Sequence, residues 1–144
     1  MSAAAEPGAV ALHHVQVCCP RGGEDAARLF YGGALGLTEV PKPPALAGRG
    51  GVWFRSVRDG VVVAELHVGV EEPFVPAARA HPAFLLPDEA ALRAVGERIE
   101  ALGARLGERL GCRVSDDEWA TFPGYRRLHA WDPHGNRVEI LCPA

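Results

Sequence analysis

Three histidines and one glutamate fall where they could share a site. Glu139 lies in the stretch Trp131-Asp132-Pro133-His134-Gly135-Asn136-Arg137-Val138-Glu139-Ile140-Leu141. Its Asp-Pro and Gly-Asn pairs are turn chemistry, because proline presets one φ and glycine or asparagine accepts a positive one. The stretch therefore reads as a hairpin. Beyond the turn the side chains alternate, Val138 and Ile140 on one face and Arg137 and Glu139 on the other. A carboxylate buried alone in mid-strand is costly, so Glu139 needs partners. The candidates are His14, His67 (or Glu65) and His81, which with Glu139 would close a polar cavity able to hold a metal or a ligand.

Those residues need strands to carry them. Val10–Cys19 reads as a strand with His13, Val15 and Val17 on one face and Leu12, His14 and Gln16 on the other. Pro20 and Gly22-Gly23 end it, and Glu24–Leu35 follows as an amphipathic helix with acids in its first turn, a stripe of Ala27, Leu29, Phe30 and Ala34, and Gly36 as its stop. After the proline-rich loop Pro41–Gly51 come a strand Gly51–Val57 and, across an Asp59-Gly60 turn, a strand Val61–Val70. On that last strand Glu65 and His67 share one face, with Ala64, Leu66 and Val68 on the other.

The order then starts again. His81–Leu86 reads as a strand, and Asp88 caps a helix carrying Leu92, Val95, Ile99 and Leu102 that Gly103 can end. Arg105–Val114 reads as a strand, Ser115–Gly124 as an irregular loop with Trp119 and Phe122, and Tyr125–Trp131 as the first arm of the closing hairpin. His14 and Pro20, like His81 and Pro87, are six residues apart, and each pair leads into a helix that begins with acids. The chain thus reads as a tandem repeat. A flexible leader covers residues 1–9, the first βαβββ module 10–77 and the second 78–144, fused as one domain. The class is α+β: two modules forming a curled mixed sheet around a polar cleft, with helices outside. The helices cover the face of Val15, Val17, Leu66, Val138 and Ile140, so His14, His67, His81 and Glu139 are left on the cleft side, where ligand sites are built.

These residues resemble the vicinal oxygen chelate superfamily, which includes glyoxalase I, methylmalonyl-CoA epimerase, extradiol dioxygenases, and fosfomycin and bleomycin resistance proteins. The likeness is carried by Leu12-His13-His14-Val15-Gln16-Val17, by Ala27-Arg28-Leu29-Phe30-Tyr31 with Leu35-Gly36-Leu37, and by Asp132-Pro133-His134-Gly135-Asn136-Arg137-Val138-Glu139. It covers nearly the whole chain. In metal-using members one ligand comes from the first strand and one from the last strand of each module. By position the resemblance therefore implies His14, His67 or Glu65, His81 and Glu139 as ligands of one divalent ion. Such a set suits Fe, Mn, Ni, Co or Zn. His67 is preferred at the second position, which leaves Glu65 as a base or as a support for the ligands. The chemistry implied is Lewis-acid activation of vicinal substrate oxygens, with a carboxylate, Glu139 or Glu65, moving a proton, in isomerase or lyase reactions or in ring-cleaving dioxygenation.

Around this centre Trp53, Trp119 and Tyr125 could stack on a flat ligand, Arg55 and Arg127 could meet its carboxylate or phosphate, and His129 shares the parity of Arg127. His13 falls on the helix side and His134 in a turn, and neither is assigned a role. The competing function is a metal-free protein that sequesters an antibiotic or aromatic natural product, as the bleomycin-resistance branch does. Both readings imply a homodimer, because modules of this fold pair within a chain or across two.

Bulk properties exclude other classes. The 144 residues are 48% hydrophobic and 23% charged, with a formal charge of -3 and a pI near 6.1, which gives no reason to expect nucleic acid or an anionic membrane as partner. No apolar run approaches the roughly 20 residues of a membrane span, and Met1–Val10 lacks a basic signal region, so the expected location is cytoplasmic. Cys18, Cys19, Cys112 and Cys142 have no CxxC spacing and read as reduced, mostly buried residues. No GxSxG, Walker or dinucleotide motif is present.

Overall fold

A computed structural model describes residues 6–115 and 122–144. The first module runs β1 (Val15–Cys19), α1 (Glu24–Ala27), β2 (Thr38–Val40), β3 (Val52–Arg58) and β4 (Val61–Val70). The second runs β5 (Ala83–Leu85), α2 (Glu89–Leu106), β6 (Arg113–Val114), β7 (Tyr125–Trp131) and β8 (Arg137–Pro143). Each module forms a four-stranded mixed sheet, in the orders β1-β4-β3-β2 and β5-β8-β7-β6. The first and last strands of each module pair in parallel, and the other pairs are antiparallel. The two topologies are the same, so the α+β tandem repeat is what the chain forms.

One core joins the modules. Phe30, Tyr31 and Phe54 from the first pack in the same cluster as Leu92, Ile99 and Ile140 from the second, all fully buried. Each such side chain contributes about 1.5–3 kcal/mol when taken out of water. Directed bonds fix how the halves meet. Tyr31 Oη donates to Asp132 Oδ2 at 2.7 Å, Asn136 Nδ2 to the Cys18 carbonyl at 2.7 Å, and Arg98 Nε to the Ala34 carbonyl at 2.9 Å. The turn residue His134 is also part of this seam, with Nε2 2.9 Å from the Gly23 carbonyl. Asp132 organises the hairpin as well, its Oδ1 accepting from the backbone N–H of His134 and of Asn136 at 2.9 Å. Gly135 completes that turn at φ +89, which a β-carbon would disfavour.

Several elements differ from expectation for local reasons. The first strand begins at Val15, five residues later than the pattern suggests, so His13 and His14 precede it. The first helix keeps α geometry only over Glu24–Ala27 and continues as a π-helical segment, Arg28–Ala34. The βαβββ pattern calls for a third strand after the helix, and β2 supplies it at Thr38–Val40, a stretch too brief to show alternation. Helix α2 has the expected cap, Asp88 Oδ1 accepting from the Ala91 N–H at 2.8 Å, but passes through Gly103 and stops at Gly107, where φ is +73. Its apolar spacing continues to Leu106, so a strand from Arg105 cannot form. A 3-10 turn, Glu108–Leu110, follows, and the strand is only Arg113–Val114. All four cysteines are free, and three are buried. No helix among the described residues is long and apolar enough to cross a membrane.

Candidate metal and ligand site

In the first module the polar face of β4 carries Glu65 and His67, only 7% and 6% exposed, while Leu66 and Val68 on the opposite face enter the core. Cross-strand pairing sets Trp53 opposite His67 and Arg55 opposite Glu65. The Trp53 ring lies flat on His67, centroids 3.7 Å apart at 3°, and His14 stacks on the same imidazole at 4.1 Å and 21°. His67 is therefore held between two rings. Arg55 Nε donates to Glu65 Oε1, while Glu65 Oε2 lies 3.3 Å from His67 Nε2 and 3.5 Å from His13 Nδ1. Burial pushes the Glu65 carboxyl up, but the bond and charge of Arg55, with His67, outweigh it and hold the group below the usual carboxylate range. Burial, and then the neighbouring His14, lowers His67 below the ordinary imidazole value against the pull of Glu65, which favours the neutral ring that a metal requires.

In the second module β8 carries Glu139, 8% exposed, with His129 of β7 directly opposite and 3% exposed. His81 precedes β5, its ring edge-on to His129 with centroids 5.4 Å apart. His81 Nδ1 lies 2.6 Å from the Arg79 carbonyl, which can only accept, so Nδ1 carries the proton and, in the neutral ring, Nε2 keeps the lone pair. That Nε2 is 3.5 Å from Glu139 Oε2. With metal bonds of about 2.1 Å, two ligands of a tetrahedral ion sit about 3.4 Å apart, so the spacing suits a shared cation. Glu139 Oε1 accepts from Arg127 Nη1 at 2.8 Å, which orients the carboxylate. Arg137 Nη2 lies 3.1 Å from His129 Nε2.

Among the described residues two donor groups gather within 4.8 Å, His13-His14-Glu65 and His81-His129-Glu139. Each draws on one module alone. His14 and Glu65 meet, as do His81 and Glu139, while His67 stacks beside the first group. The expected four-residue set is thus divided between two halves of the chain. Arg55 and Arg127 lie against the protein's own carboxylates. Trp53 covers His67, and Tyr125, partly exposed, meets Phe122 edge-on at 5.4 Å. Trp119 lies outside the described residues. His13 was missed because strand alternation was extended back to it. His129 was visible through its parity with Arg127, but pairing with Glu139 needed the hairpin register.

No protein-family model matches the chain, and no curated protein does. Solved structures do. A protein assigned to the glyoxalase family from Bacillus anthracis is 35% identical, with a TM-score of 0.77 over 97% of this chain and 100% of that one. A glyoxalase/dioxygenase from Nostoc punctiforme is 22% identical, with a TM-score of 0.66 over 100% and 99%. An antibiotic binding protein from Streptomyces sp. CB03234 is 19% identical, with a TM-score of 0.60 over 95% and 100%. The chain belongs to the glyoxalase family of the vicinal oxygen chelate superfamily. The two more distant structures share its fold.

Proposed function

We propose that the chain is a divalent-metal-dependent enzyme acting on a small molecule with vicinal oxygens, its ion held by His14 and His67 of one copy and His81 and Glu139 of a second. One observation carries this reading. In the parallel ladders Gln16 faces His67 and Ala83 faces Glu139, and each facing residue follows a histidine by two. Each module therefore presents a donor pair at the same place, and four donors require two modules facing one another. The donor groups of a single chain fall separately, so a symmetric dimer supplies the facing module.

The donor chemistry fits such an ion, because imidazole nitrogen and carboxylate oxygen suit the divalent first-row metals. When bound it would polarise two adjacent substrate oxygens as a Lewis acid. The chain's own residues do the rest. Arg127 fixes one oxygen of Glu139 and leaves the other toward His81. Glu65, kept ionised by Arg55, is available to accept a proton beside the histidines. Trp53 holds the His67 plane and shields it from water.

The test is metal content by mass spectrometry on protein purified without chelator and after reconstitution, repeated on Glu139→Ala and His81→Ala. About one ion per chain, lost in both variants, supports the site. No ion in wild type after reconstitution refutes it. A second reading, a metal-free binder of an antibiotic or aromatic compound, is favoured by a specific feature, since Arg55 and Arg127 already balance Glu65 and Glu139. Tight binding of such a compound by chelated protein would select it.

A further inference from the structure

A cavity of about 360 Å³ lies between the modules, along β1 from Val15 to Cys18, closed on the other side by the β4–β5 connector and the start of β8. Much of its wall is apolar, with Val15, Val17, Phe74 and Val75, and its polar lining includes Gln16, Glu71, His81 and Arg137. It meets the second donor group only at His81.

Arg137 gives this cavity its character. It stands two residues before Glu139, the position that Glu65 holds before His67, so the modules place opposite charges at equivalent points. Glu65 has Arg55 across the strand to neutralise it, whereas the residue across from Arg137 is Trp131, which carries no charge. Among the described residues Arg137 forms no ion pair, its Nη2 meets the ring of His129, and its buried Nε has no acceptor. The guanidinium thus lines the cavity with no carboxylate to neutralise it, and an incoming carboxylate would supply that counter-charge, with a charge-assisted bond as the gain.

We propose that this cavity binds a small monocarboxylate, its charge on Arg137 and its compact apolar body against Val17, Phe74 and Val75. Glu71 on the same wall disfavours a dianion such as a phosphate. The subsite deepens the reading above by naming the charge of the substrate, and rests on it only through the shared His81.

The experiment uses full-length protein stripped of metal by chelator, so that a carboxylate cannot bind through an ion. Phenylacetate and its uncharged isostere phenylacetamide are compared by calorimetry. The acid is expected to bind at least about tenfold more tightly than the amide. In Arg137→Met, which keeps the aliphatic stem, that preference should vanish with the circular dichroism spectrum unchanged, and Arg137→Lys should restore part of it. Equal affinity for acid and amide in wild type, or a preference that survives in Arg137→Met, overturns the proposal. The wild-type comparison decides even if a variant fails to fold. Metal content is measured separately, so a metal-free protein that prefers the acid loses only the metalloenzyme reading, and a metal-loaded protein without that preference loses only the subsite.

Discussion

His67 and Glu139 occupy one position in two modules, the first across the ladder from Gln16 and the second across from Ala83. For the proposed site, this equivalence, absent for Glu65, favours His67 over Glu65 as the second donor. His67→Ala should then lower affinity for Ni(II) or Zn(II) more than about 100-fold, while Glu65→Gln, which removes a group supporting the ligands, should cost about 10- to 100-fold. Calorimetric titration of metal into the two variants checks the order. The reverse order would make Glu65 the ligand.

The division of donors between modules makes subunit mixing informative. A chain lacking the first pair, His14→Ala with His67→Ala, and a chain lacking the second, His81→Ala with Glu139→Ala, should each hold no ion alone. Refolded together at equal amounts, half of the dimers pair unlike chains, and each of those has one intact cross-chain site. Metal should return to about a quarter of wild type, read by mass spectrometry of the mixture. Recovery near zero would place each site within a single chain.

The repeat was legible because it is written in residues with few alternatives. The six-residue spacing from histidine to proline, and turn pairs such as Asp59-Gly60 and Gly135-Asn136, permit few other structures, and the strands Val61–Val70 and Tyr125–Trp131 formed with the expected bounds. The site was legible only in part. Parity along a strand put Glu139 and His67 on the face opposite the core residues Leu66, Val68, Val138 and Ile140, but parity cannot say which strands come face to face, and that decides whether four donors meet. Helix exit was misread at Gly103 for a different reason. Its glycine serves a close approach to Cys112, and sequence does not distinguish a glycine needed for space from one needed for φ.

Tyr31 and Asp132 hold the modules together, so their bond should report on stability away from the donors. Tyr31→Phe removes one donor from a buried carboxylate that retains the backbone N–H groups of His134 and Asn136 and the Asn136 amide, and should cost about 1–3 kcal/mol. Burial and then the Asp132 charge raise the Tyr31 hydroxyl well above its ordinary value of 10.0. Above about pH 10 the unfolded chain releases this proton and the folded chain keeps it, so stability falls as pH rises, by up to about 1.4 kcal/mol per pH unit. Below that range the group contributes no slope. Denaturant titrations from pH 8 to 11 should show a steeper alkaline decline in wild type than in Tyr31→Phe, and parallel curves would contradict the buried bond.

Two glycines of α2 should respond oppositely to the same substitution. Alanine is favoured over glycine inside a helix by about 1 kcal/mol. At Gly96 an added β-carbon meets only Leu128 Cδ1, at 3.6 Å, an ordinary contact, so Gly96→Ala should stabilise by up to that amount. At Gly103 the β-carbon would run into the Cys112 carbonyl oxygen, a backbone atom that cannot turn aside as a side chain can. The helix must then move from the segment leading into β6, and overpacking of this kind costs about 1–3 kcal/mol, more than the propensity returns. Thermal or urea unfolding of the two variants should shift in opposite directions. If Gly103→Ala matched or exceeded wild type, the close packing of α2 on Cys112 would be wrong.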